Sequence, residues 1–114
     1  MRSALLVVTA VLAGGCGGSA ASMGPPGPPP PTATVNATPS ITFDPQTTTV
    51  AVGGTVTFSF GSVAHNVFFA SQTGAPSDIG TAMNASVGRT FPTAGTYGYD
   101  CHIHPGMHGT IVVR

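Results

Sequence analysis

The side chains able to do chemistry crowd into one segment, Tyr97-Gly98-Tyr99-Asp100-Cys101-His102-Ile103-His104-Pro105-Gly106-Met107-His108-Gly109. A cysteine, a histidine three positions on and a methionine three beyond that can turn inward around one ion if the chain between them folds tightly. Pro105 and Gly106 supply such a turn. His65, far upstream and followed by Asn66, could complete the set from a facing loop. Two imidazoles, a thiolate and a thioether are borderline and soft donors that favour copper over magnesium or calcium. A His2Cys plane with a weak axial Met is the type 1 copper arrangement. Zinc could occupy the same ligands but has no special use for the methionine.

Taken singly, each donor has an ordinary structural reading: His65 as a core histidine, Cys101 as a small buried hydrophobe, Met107 as packing. Two further histidines flank the set. On strand alternation His102 points away from Cys101 and is expected in solvent. His108 adjoins Met107 and could replace it as axial donor, which would hold Cu(II) more firmly and lower the potential.

These residues need a scaffold, and from Ile41 on the apolar residues recur at every second position. Val50 and Val52, then Val56, Phe58 and Phe60, then Val67 and Phe69, and finally Tyr97, Tyr99 and Cys101 each place alternate side chains on one face. Thr47, Thr49, Thr55 and Thr57 fall on the other. Gly53-Gly54, Gly61-Ser62, Gly74, Gly80, Gly88, Pro92 and Gly95 cut the pattern at intervals that suit an all-β sandwich or barrel. Ser71 to Met83 is the one stretch where a short helix or irregular loop is expected. A domain this small buries only a little more than ~60% of its unfolded surface and would benefit from a staple.

The chain has 114 residues, and its charged side chains are three Arg and three Asp, 5% of the whole, where globular domains carry about 25%. That excludes nucleic-acid binding, which needs clustered Lys or Arg. It also means that β-surface is built from hydroxyls. The length allows a single folded domain.

Arg2 precedes an apolar run, Ala4 to Ala13, that has the length of a signal-peptide core and is too short to span a bilayer. Leu12-Ala13-Gly14-Gly15-Cys16 resembles a bacterial lipobox, so residues 1–15 are expected to be a lipoprotein-type signal and Cys16 the lipid-bearing residue. The competing reading is an ordinary secretory signal, with Cys16 free or paired with Cys101. Either way the protein is expected outside the cytoplasm, on the periplasmic or cell-surface side of a bacterial membrane and touching it by the lipid alone. Residues 16–40, with Pro25, Pro26, Gly27 and Pro28 to Pro31, are expected to form a Pro/Gly-rich tether, leaving 41–114 as the folded domain. The two cysteines then have separate tasks, and no disulfide is expected.

Over residues 41–114 the sequence resembles the plastocyanin-like cupredoxins, the blue copper proteins. Phe43-Asp44-Pro45 through Val50 to Phe58 is similar to the family's second and third strands, and His65-Asn66-Val67 to its first ligand loop. Phe91 through Gly95-Thr96-Tyr97 is similar to its approach strand, and Gly109-Thr110-Ile111-Val112-Val113 to its last. The short Cys-x-x-His-Pro-x-Met spacing resembles the amicyanin branch. The resemblance implies a small Greek-key β-sandwich holding one type 1 copper, with His65, Cys101 and His104 as strong ligands and Met107 axial. Behind them, Asn66 would pin the two ligand segments through hydrogen bonds, beside Pro105. It also implies one-electron transfer through Cu(II)/Cu(I) with no enzyme activity of its own. A monomer is implied, with redox protein partners docking at an apolar patch near His104. A copper carrier or sequestering lipoprotein without redox cycling is the alternative, and a metal-free adhesion sandwich the third reading.

Overall fold

The computed structural model describes residues 27–114. The expected signal segment, Cys16 and the first part of the tether lie outside the described residues. The described chain forms β1 (Thr32–Ala37), β2 (Phe43–Asp44), β3 (Thr47–Val50), β4 (Gly54–Phe60), β5 (His65–Val67), β6 (Ile79–Ala82), β7 (Ala85–Phe91), β8 (Gly95–Asp100) and β9 (His108–Val113), with no α-helix among these residues.

One sheet runs β2-β1-β4-β7 and a second runs β3-β9-β8. The β5-β6 pair joins the second sheet through a bridge between Phe68 and Asp100, whose backbones exchange hydrogen bonds of 2.9 and 3.1 Å. The β1–β4 and β3–β9 pairings are parallel, and the other strand pairs are antiparallel. Each parallel pair lies within one sheet and joins strands that are not consecutive in sequence, so the chain crosses between the two layers to make it.

Strand β4 shows why this sequence folds so. Gly54, Val56, Phe58 and Phe60 are buried while Thr55, Thr57 and Ser59 take the outer face, the period-two pattern of a sheet with one side on a core. Phe58 and Phe91 from the first sheet meet Tyr97 and Tyr99 from the second and Phe69 from the segment after β5, with ring centroids 5.3 to 6.2 Å apart, most of them edge to face. Each such fully buried ring contributes on the order of 1.5–3 kcal/mol through area alone. The Tyr97 hydroxyl donates to the Thr93 carbonyl at 2.7 Å, tying the turn before β8 to the strand itself.

Four expectations are corrected. Thr32 to Ala37, assigned above to the tether, is β1, so the folded unit begins nine residues earlier than Ile41. Val35 is fully buried, Ala37 nearly so, and the strand lies in register with β4 from Thr32 opposite Thr55 to Ala37 opposite Phe60. Two apolar side chains suffice because the neighbouring strand supplies the rest of the face. Val52 is 51% exposed, because the Gly54 N–H closes a turn onto the Ala51 carbonyl at 2.8 Å and ends the alternation. Gly88, read as a break, sits inside β7 opposite Thr57, on an outer face that carries no core. Ser71 to Met83 is irregular as far as Asp78 and then forms β6.

Candidate metal centre

The inward alternation of β8, Tyr97 then Tyr99, carries one step past the strand to Cys101, which is therefore buried at the end of the sandwich. The chain then makes a short excursion before β9. Its ends are joined by the Cys101 N–H, which donates to the Met107 carbonyl at 2.9 Å. Inside it the Met107 N–H donates to the His104 carbonyl at 3.2 Å, with Pro105 second and Gly106 third at φ +84°. This is the pattern of a type II β-turn, whose third position requires a left-handed backbone and so favours glycine. The turn brings His104 back over Cys101 and leaves Met107 buried beneath.

His65 begins β5, where the pairing with β6 shifts register between His65 and Val67. Such an irregularity re-aims a side chain, and the His65 ring is fully buried. Its Nε2 lies 3.0 Å from the Thr38 carbonyl. A carbonyl only accepts, so Nε2 carries the proton and Nδ1 keeps its lone pair. That Nδ1 is 3.2 Å from His104 Nδ1, which in turn is 3.6 Å from Cys101 Sγ. The ligand atoms of all three residues lie within 4.8 Å of one another, and among the described residues this is the group of His, Cys, Asp or Glu side chains that could hold a metal.

Burial pushes the His65 pKa below its ordinary value, the Thr38 carbonyl opposes this by stabilising the protonated ring, and nearby His104 lowers it further. A neutral imidazole is what metal binding requires. The donor set fits copper: the cysteine sulfur and two imidazoles converge, the His65 ring is held by a backbone carbonyl, and the thioether residue closes the same turn.

Asn66 is buried between His65 and Val67, and its Oδ1 accepts the His102 N–H at 2.7 Å, so one side chain links the two segments that supply the donors. His102 is exposed, as expected. Its ring stacks on Phe68 with centroids 4.0 Å apart and planes 9° from parallel, and it faces Asp100 at 3.5 Å in a solvent-exposed pair that adds little. His108 does not join the donors: its Nδ1 lies 3.0 Å from the Gly106 carbonyl and its Nε2 3.1 Å from the Gln46 amide, on the outer face of β9. Sequence reasoning missed Thr38. Its contribution is a backbone carbonyl, which no residue type announces, although Thr38-Pro39-Ser40 is a turn signal that could have marked the end of a strand there.

Residues 32–114 match the copper binding proteins of the plastocyanin/azurin family. A plastocyanin from Scenedesmus fuscus is 36% identical over 88 residues, which span 66% of this chain and 89% of that protein. Among solved structures, the reduced Cu(I) form of an amicyanin variant at pH 4 superposes with a TM-score of 0.64 at 29% identity, covering 73% of this chain and 82% of amicyanin. A fern plastocyanin variant gives 0.62 at 26% identity over 71% of this chain and 99% of its own. A copper-containing nitrite reductase from Thermus scotoductus gives 0.64 at 26% identity, but the match covers 22% of that chain.

Proposed function

Because this chain belongs to the plastocyanin/azurin family of copper-binding proteins, we propose that it is a type 1 copper electron carrier, working between redox proteins outside the cytoplasm. The observation that carries this reading is the convergence of the ligand atoms of His65, Cys101 and His104 within 4.8 Å, with the Nε2 side of the His65 ring engaged by Thr38. His65, Cys101 and His104 would hold the copper, with the Met107 thioether as a weaker fourth donor. Copper, when bound, supplies the Cu(II)/Cu(I) couple.

The chain's own contribution is to keep the donors still. Asn66 ties the His65 segment to the Cys101–Met107 turn, the Cys101 and Met107 backbones close that turn, and the Thr38 carbonyl fixes one imidazole. A site held this way rearranges little between charge states, which is the requirement for fast one-electron exchange. Cys101 and Met107 are buried while His104 is half-exposed, so the His104 edge is the natural contact with a partner. Ile41, Met83 and Ile103 are exposed. Ile41 sits in the Thr38–Thr42 turn, Met83 follows the strand paired with His65, and Ile103 precedes His104. They are the apolar rim on which a redox partner docks. No enzyme activity is assigned. Export and attachment through a lipid on Cys16 rest on Arg2, the Ala4 to Ala13 run and the lipobox-like Leu12 to Cys16.

The test is to load the mature protein with Cu(II) and record its visible spectrum and voltammogram. An intense thiolate charge-transfer band with reversible cycling is expected. Cys101→Ser should abolish the band, and Met107→Ala should shift potential and colour with copper retained. Copper binding without the band would favour the carrier reading, and a band that survives Cys101→Ser would sink the ligand assignment.

A further inference from the structure

The turn between β1 and β2 is more tightly built than a surface connection requires. The hydroxyl oxygens of Thr38 and Thr42 lie 2.7 Å apart, and the Thr42 N–H donates to Thr38 Oγ1 at 3.3 Å. The Thr38 N–H donates to the Thr42 carbonyl at 2.9 Å and the Ile41 N–H to the Thr38 carbonyl at 3.1 Å. Ile41 closes this turn at φ 62°, a left-handed conformation that is a genuine outlier for a β-branched residue. Such strain persists only where the surroundings over-determine it, and it gathers at functional sites. The Thr38 carbonyl fixed by this turn is the one that accepts the His65 Nε2–H. Through Ile41, Thr42 and Phe43 the same turn also walls a cavity of about 120 Å³ against Met107 and His108.

We propose that the Thr38–Thr42 hydroxyl pair is a positioning device for the metal centre. It holds the Thr38 carbonyl where that group fixes the His65 ring and its tautomer, so Nδ1 is presented as a preorganised donor. The consequence for copper rests on the type 1 reading above, whereas the effect on His65 rests on the hydrogen bonds alone. An acceptor behind a ligating imidazole orients the ring and raises its donor strength. Loosening that acceptor weakens donation to the higher charge state, favours Cu(II) less and raises the reduction potential.

Thr38→Val and Thr42→Val each delete one hydroxyl and keep a β-branched shape. In copper-free mature protein carrying 15N-labelled histidine, the His65 Nε2–H should exchange with solvent roughly three- to tenfold faster in either variant, the factor for losing one neutral hydrogen bond. The His65 ring nitrogen shifts should move toward mixed tautomers. After copper loading, the potential should rise while the thiolate band persists. Thr42→Ser, which keeps the hydroxyl, should return all three readings toward wild type. A wild-type protein without a thiolate band overturns the copper reading but leaves the exchange measurement standing. Valine variants that only melt lower, with His65 exchange, tautomer and potential as in wild type, overturn the proposal, because the turn then serves the fold alone.

Discussion

Asn66→Ala asks whether the protein itself, before any metal arrives, holds the two ligand segments together. The Asn66 Oδ1 accepts the His102 N–H at 2.7 Å, at the short end of the usual range, and the Asn66 side chain is 6% exposed. Truncation removes the acceptor, and a buried donor left unpaired costs roughly 1–3 kcal/mol. The His102 side chain is exposed, so water reaches part of this loop and the lower portion, about 1–2 kcal/mol, is expected. For a domain of this size each kcal/mol moves Tm by about 4–8 °C, so the copper-free variant should melt roughly 4–16 °C lower. Copper affinity should fall by about 10–100-fold, the usual effect of removing a group that orients ligands. Asn66→Leu has a similar volume and no acceptor, which separates the hydrogen bond from the cavity. Calorimetry of both copper-free variants and a copper competition titration supply the readings. If only the alanine variant is destabilised, packing does the holding; if both melt and bind as wild type does, the bridge has been assigned a role it does not have.

Gly109→Ala should lower stability by about 1–3 kcal/mol, because its Cβ would strike the hydroxyl and ring of Tyr99; a melting curve that matches wild type would contradict the packing described here. Burial holds the His65 pKa below the ordinary 6.5, so the unfolded chain binds that proton more readily than the fold does. The contribution is then fully present above about pH 6.5 and is lost as pH falls below it. Copper-free protein should accordingly melt lower at about pH 5 than at pH 7, with a shallower slope in His65→Gln; equal slopes would refute this. Tyr97→Phe should cost about 0.5–1.5 kcal/mol by deleting the bond to the Thr93 carbonyl, measurable by denaturant titration, and no change would mean that the corner is held by packing. Electron transfer with a redox protein should respond weakly to ionic strength, since the described residues carry only Asp44, Asp78, Asp100, Arg89 and Arg114. A steep dependence in stopped-flow rates would refute docking through apolar contact.

The readable parts of this molecule were those where a side chain announces itself. Cys101, His104 and Met107 stand at spacings that a Pro-Gly turn can close, and the alternation through β4 and β8 points Phe58 and Tyr99 to one core. The same logic failed where the backbone acts alone. Strand β1 fully buries only Val35 and Ala37, with Ala33 partly covered, and follows a proline run, so its identity comes largely from the neighbour it pairs with. The Thr38 carbonyl acts through a group every residue possesses. Gly88 looked like punctuation because a strand in isolation tolerates glycine poorly, yet on the outer face of β7 nothing there needs to be packed. His108 could be weighed as an axial donor only until its two nitrogens were found engaged with Gly106 and Gln46.

The parallel pairing of β1 with β4 also gives the molecule a heading. Both strands run toward the metal pole, since β4 leads through Gly61 to His65 and β1 ends at Thr38. Thr32 therefore sits about 20 Å away, the length of a six-residue strand, at the opposite pole, where Pro30 and Pro31 dock by backbone hydrogen bonds onto Ala51 and Thr55. A pull on the chain ahead of Thr32 acts on the end remote from copper. An anchor on that side, as proposed for Cys16, would leave the half-exposed His104 edge free and carry its load away from the candidate metal centre.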